Sequence, residues 1–160
     1  MSPAGATRVV HLMPREQYGV LLNELLAGER AGTKLAAAYA NELPPDCDAW
    51  AWLCIIQRNR ARNCSVLIHL LLEDGLEPGT RVAGFFDLGL EIRGWSARLR
   101  FLTGTQQWSV ERIAAHVTRV VSEAGRTALK AMLESHRADL AIWQEELRLL
   151  GGVQRPPSGP

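Results

Sequence analysis

The chain has no Cys-x-x-Cys pair, no glycine-rich phosphate loop, no Gly-x-Ser-x-Gly elbow and no Cys/His zinc spacing in its 160 residues. The most motif-dependent enzyme classes therefore have no footing in it. Cysteine is scarce and odd in number: Cys47, Cys54 and Cys64. The last two sit ten apart on one helical segment and cannot bridge each other, so all three read as small apolar residues. No apolar run approaches the roughly 18 residues that span a bilayer. The longest, Ala49 to Ile56, has eight. The first residues contain no apolar stretch of about 7–15 residues of the kind that marks a secretory leader, so a reducing, cytoplasmic setting is expected. Charge of one sign is also missing: the net charge is +1, which argues against nucleic acid and against an anionic membrane as partner. Arg58, Arg60 and Arg62 do not change this. Positions 58 and 62 share a helix face, position 60 points elsewhere, and no aromatic residue interleaves them.

Proline is absent from 15–43, 46–77 and 79–155, and falls at 3, 14, 44, 45, 78, 156, 157 and 160. Helix interiors exclude it and loops collect it. Between these marks apolar residues recur at a three-to-four spacing, with no strand alternation, so the chain is expected to be all-α. One helix is expected over Arg15–Glu42, a second from the cap Asp48 to Gly75, and a third from the cap Thr80 to Gly104. A short helix is expected over Ser109–Glu123, broken by Gly125, and a last one over Arg126–Leu150. Residues 1–13 and 152–160 read as flexible tails around a single helical domain, 14–151.

What is present where apolar residues are expected is charge. Glu29 interrupts the inward stripe of the first helix, Arg60 and Asn63 that of the second, and His136 that of the last, while Glu91 borders that of the third. Glu29, Arg60, Glu91 and His136 each lie near the midpoint of their helix. At about 1.5 Å of rise per residue they fall at one height whichever way each helix runs. A buried charge costs several kcal/mol unless it is paired, so the coincidence predicts one shared, mutually satisfied polar layer. His11, His69 and His116 lie in the tail or on solvent faces. Gly28 and Gly32 flank Glu29 at the spacing of a close-packing pair, either admitting a neighbouring helix or leaving room for a ligand.

The segments Leu22-Asn23-Glu24-Leu25-Leu26-Ala27-Gly28-Glu29-Arg30-Ala31-Gly32 and Met132-Leu133-Glu134-Ser135-His136 resemble the first and last helices of the ferritin-like superfamily. The likeness is strongest to small bacterial members with a charged second helix of the type Arg58-Asn59-Arg60-Ala61-Arg62. It covers residues 16–150 and implies an antiparallel four-helix bundle, here with one additional short helix. The superfamily's dimetal site takes a Glu from each of two helices and Glu-x-x-His from the other two. By the resemblance Glu29 matches the lone Glu and His136 the last His. Leu133 stands where a Glu is expected, and Arg60 and Asn63 stand where a Glu-x-x-His pair is expected. Arginine has no lone pair to give a metal.

The resulting expectation is a degenerate, metal-independent site with no cofactor. Glu29 and His136 are its candidate acid–base (catalytic) pair, and Glu29, Arg60, Asn63, Glu91 and His136 its buried polar layer. The layer would serve small-molecule binding or acid/base chemistry. One alternative is an iron or manganese oxidoreductase using Glu29, Glu91 and His136, with Glu134 swinging in. Another is a helical oligomerisation module without a site. Trp50, Trp52 and Trp108, near helix starts, are candidate surfaces for a homo-oligomer.

Overall fold

The computed structural model describes residues 11–152. Within them the chain forms α1 (Arg15–Asn41), α2 (Asp48–Glu73), α3 (Phe85–Leu90), α4 (Trp95–His116) and α5 (Glu123–Gly152), with a 3-10 turn at Val117–Arg119. Among the described residues there is no strand.

Local chemistry explains the boundaries. α1 begins directly after Pro14 and ends before Pro44-Pro45, where the residue preceding proline is pushed out of the helical region. α2 is capped by Cys47, whose Sγ accepts from the Trp50 N–H at 3.4 Å, and not by Asp48, which lies in the first turn. Gly75 ends α2 with φ +62°. The Leu76 N–H donates to Leu71 O at 2.8 Å and the Gly75 N–H to Leu72 O at 3.0 Å, the paired bonds of a Schellman stop.

The region after residue 80 departs from the sequence reading. Thr80 caps nothing, and the single helix expected over 80–104 is two: α3 and α4. Gly94, with φ +83°, supplies the left-handed break between them. Gly104, expected to end a helix, lies inside α4, which absorbs most of the short helix expected over Ser109–Glu123. Gly125 lies inside α5, which starts three residues before the expected Arg126. In the 13-residue segment expected to be tail, Met13 is buried and its N–H donates to Arg119 O at 2.7 Å. His11 and Leu12 are exposed and outside any helix, Gly152 belongs to α5 and not to the expected tail, and 1–10 and 153–160 lie outside the described residues.

α1 packs along α2 and α4 along α5, with lesser α1–α4 and α2–α5 contacts closing the core. Arg15, at the start of α1, donates to Asp74 O and Gly75 O at the end of α2, so these two helices run antiparallel. The core has two apolar clusters. One gathers the first half of α1, the second half of α2, the end of α4 and the start of α5, around Leu22, Leu26, Leu67, Leu71, Ile113 and Leu129. The other gathers the opposite halves, around Leu35, Tyr39, Leu53, Leu99, Leu102 and Trp143. Near the middle of each long helix the apolar stripe is interrupted by a buried polar residue: Glu29, Arg60, Gln106 and His136.

Candidate functional site

Glu29, Arg60 and His136 meet where the sequence places them, midway along their helices. Glu29 Oε1 lies 3.7 Å from Arg60 Nη1 and 3.1 Å from His136 Nε2, and all three residues are at most 2% exposed. Asn63, half-buried, donates from Nδ2 to Glu29 Oε2 at 3.1 Å. Glu91 does not join them. It is exposed, at the end of α3, because the break at Gly94 removes it from the register assumed for one long helix. Leu88, one turn earlier on α3, is also exposed, at 66%. Glu134 is exposed and reaches no shared position with Glu29.

The fourth member is Gln106 of α4. Arg60 Nη2 donates to Gln106 Oε1 at 2.7 Å and to Thr105 Oγ1 at 3.2 Å. Gln106 Nε2 lies 2.6 Å from His136 Nδ1. These contacts allow one assignment of hydrogens. Arginine only donates, so the amide atom facing it is the oxygen. The amide nitrogen then faces Nδ1, which accepts, and the ring proton sits on Nε2, on the side of Glu29. The sequence carried the signal for Gln106. With α4 running unbroken from Trp95, Leu99, Leu102, Gln106, Val110, Ile113 and Val117 form one stripe with a polar interruption at its centre. The expected helix boundary at Gly104 cut that stripe in two.

Space for the guanidinium comes from Gly32. A Cβ there would overlap Arg60 Cδ, Cζ and Nη1, so of the two roles open to this glycine, close approach of the neighbouring helix's side chain is the one observed. Gly28 faces the Trp108 ring, to which a Cβ would come within 3.3 Å. Burial works to raise the Glu29 carboxyl's pKa. The Arg60 charge, then His136 and the Asn63 amide, outweigh it and hold Glu29 below the usual carboxylate value. Asp139, three residues beyond His136 on α5, shifts the other way. Burial raises it, and its Asn59 contact, His136 and the Arg60 charge only partly oppose this. Burial and the Glu29 charge likewise push the Cys64 thiol up, away from the reactive thiolate.

The layer is not closed. Glu29 Oε1, Arg60 Nε, Arg60 Nη1 and His136 Nε2 are buried without a hydrogen bond to any protein group: Arg60 Nη1 stands 3.7 Å from Glu29 Oε1, beyond hydrogen-bond distance, and the 3.1 Å approach of His136 Nε2 is off alignment. For a metal, Glu29 and His136 offer two donors, and Arg60 brings a fixed positive charge against them. Among the described residues no group of three or more His, Cys, Asp or Glu is placed to hold an ion. This donor set does not fit the dimetal carboxylate centre that the resemblance implies.

An apolar cleft of about 650 Å³ opens between α3 and α4, walled by Phe85, Leu88, Ile92, Phe101 and Trp108. Thr105 lies on its wall and bonds Arg60, so the cleft adjoins the polar layer through one hydroxyl. Of the tryptophans considered for exposure, Trp50 and Trp52 are half-buried against the second cluster, and it is Trp108, 42% exposed, that faces outward.

A family described as a domain of unknown function, DUF6306, matches residues 18–145. The chain belongs to the DUF6306 family. The match takes in all four residues of the layer and both helices that wall the cleft, so the DUF6306 segment contains the whole candidate site. No curated protein and no solved structure matches the chain. No helix among the described residues is long and apolar enough to cross a membrane.

Proposed function

We propose that this DUF6306 chain is a metal-independent, small-ligand-binding protein of ferritin-like four-helix architecture. Its cleft between α3 and α4 takes the ligand, and its buried Glu29–Arg60–Gln106–His136 layer supplies the polar centre behind it. The observation that carries the reading is Thr105, whose side chain lines the cleft and whose Oγ1 accepts from Arg60 at 3.2 Å. A cleft of this volume falls in the range of small-molecule sites, about 300–1,000 Å³. By the resemblance Arg60 would stand in the position of the superfamily's cation, and its guanidinium lies 3.7 Å from the Glu29 carboxylate, whose charge it offsets. Within the layer, Glu29 is the carboxylate and candidate base, and the His136 ring holds its proton on Nε2, 3.1 Å from Glu29 Oε1.

Two measurements test this. Titration with N-phenyl-1-naphthylamine, an uncharged apolar fluorophore, is expected to show saturable binding at one site, abolished in Gly104→Leu, since Gly104 lines the cleft and a Cβ there meets nothing within 4 Å. Absence of saturable binding overturns the ligand reading. Protein incubated anaerobically with ferrous iron or manganese and then desalted is expected to carry only substoichiometric metal. Stoichiometric metal that is lost in Glu29→Gln and in His136→Ala overturns metal independence.

A further inference from the structure

We infer that the ligand of the cleft is a single-chain amphiphile with an anionic head, a medium-chain carboxylate, whose alkyl body lies between α3 and α4 and whose carboxylate is held by Arg100. This rests on the small-ligand reading above and adds the chemical class. The walls set the body of the ligand: Phe85, Leu88, Ile92, Phe101 and Trp108 offer apolar and aromatic contact, and Leu88 and Trp108 keep 66% and 42% of their surface exposed. Such surface on the two sides of a concave space favours an apolar guest.

The polar end follows from what the cleft can and cannot bond. Thr105 Oγ1 donates to Leu102 O at 2.8 Å and accepts from Arg60, so its one hydrogen is committed and it offers an anion no donor. Arg100 is the one charged residue on the lining, it is exposed, and among the described residues it makes no ion pair. The two arginines that precede it in sequence are engaged. Arg98 is bound to Glu42 and Ile92 O, and Arg93 donates to Leu90 O. A guanidinium pairs a carboxylate in two parallel bonds, which a neutral or cationic head group does not reproduce. Charge complementarity at the rim thus selects an anion, and the lone cation selects a single head group over an acidic peptide.

The test is isothermal titration with dodecanoate below its micellar concentration, alongside dodecan-1-ol and dodecyltrimethylammonium. Dodecanoate is expected to bind one per chain, and Arg100→Gln to weaken it by about tenfold or more, the effect of losing a charge-assisted contact. Gly104→Leu is expected to abolish binding while far-UV circular dichroism and the melting temperature stay at the native values, because its Cβ enters open space. Dodecan-1-ol binding as tightly as dodecanoate, or an unchanged affinity in Arg100→Gln, overturns the carboxylate assignment and leaves the small-ligand reading standing. If none of these amphiphiles nor the uncharged fluorophore binds, both fall. A concentration-dependent dimer in sedimentation velocity that Gly104→Leu dissociates also overturns the inference, by assigning the face to a second copy of the chain.

Discussion

Arg60 and Arg98 are both buried guanidinium groups, at 2% and 6% exposure, and the surroundings of each are built differently. Arg98 lies at the start of α4. Its Nε donates to Ile92 O at 3.0 Å, its Nη2 to Glu42 Oε2 at 2.6 Å, and its guanidinium covers the Tyr39 ring at 4.5 Å. Tyr39 in turn donates to Gly89 O at 2.7 Å, so this arginine ties α4 and the α3–α4 break to the end of α1. Its carboxylate partner is 57% exposed and remains hydrated. Arg60 faces a carboxylate that is 1% exposed, and two of its three nitrogens have no hydrogen bond within the protein. A structural arginine is satisfied locally at the edge of the core. Arg60 instead holds charge in the centre, between two apolar clusters, with donors left over. The donors left over at this charge layer are what the proposed site rests on.

The comparison can be broken most directly by removing each arginine. Arg60→Met strands the Glu29 carboxylate in the core and is expected to cost about 3–5 kcal/mol of unfolding free energy. Arg98→Met leaves Glu42 free to rehydrate and is expected to cost about 1–2 kcal/mol. Urea denaturation of the two variants decides it, and equal losses would remove the distinction drawn between them.

A smaller effect sharpens the same contrast. Gly32→Ala places a methyl group against the Arg60 side chain and is expected to destabilise by about 1–3 kcal/mol. In an Arg60→Ala background the same change should become neutral or favourable, because only the helix-propensity gain of about 1 kcal/mol remains. The double-mutant cycle reports this coupling, and a Gly32→Ala penalty that persists without the guanidinium would contradict the close approach.

The smallest effect lies in the pH profile. Glu29 is held below its ordinary value in the folded state, so its stabilising contribution is present above the unfolded value, near 4.5, and fades as pH falls from there toward the depressed folded value. The stability gap between the native chain and Glu29→Gln should therefore be flat near neutrality and narrow in acid. A gap that widens as pH falls would mean that Glu29 is protonated in the folded state.

How much of this was legible differs from helix to helix. α1 and α2 follow from proline-free runs with prolines at their ends, and Glu29, Arg60 and Asn63 follow from polarity within an apolar stripe. His136 followed in the same way, though the start of α5 did not. α3 and α4 were misread because glycine is ambiguous in sequence. Gly84, Gly89, Gly94 and Gly104 look alike there, yet only Gly94 takes a left-handed conformation. Gly89 and Gly125 lie within helices, where close neighbours replace their side chains: Leu35 and Phe101 at Gly89, Tyr18 at Gly125. The unforeseen break at Gly94 had admitted Glu91 to the layer, and the expected helix end at Gly104 had hidden Gln106 from it.

By itself the amino-acid sequence determined that the chain is all-helical and that ionisable residues from three helices lie at one height, since spacing along a helix converts directly into direction and distance. Only the tertiary structure decided what completes that layer, which glycine breaks the chain, and that an apolar cleft backs onto the charges. Those depend on contacts between residues far apart in sequence, such as Arg60 with Gln106 and Tyr39 with Gly89, and no local period records them.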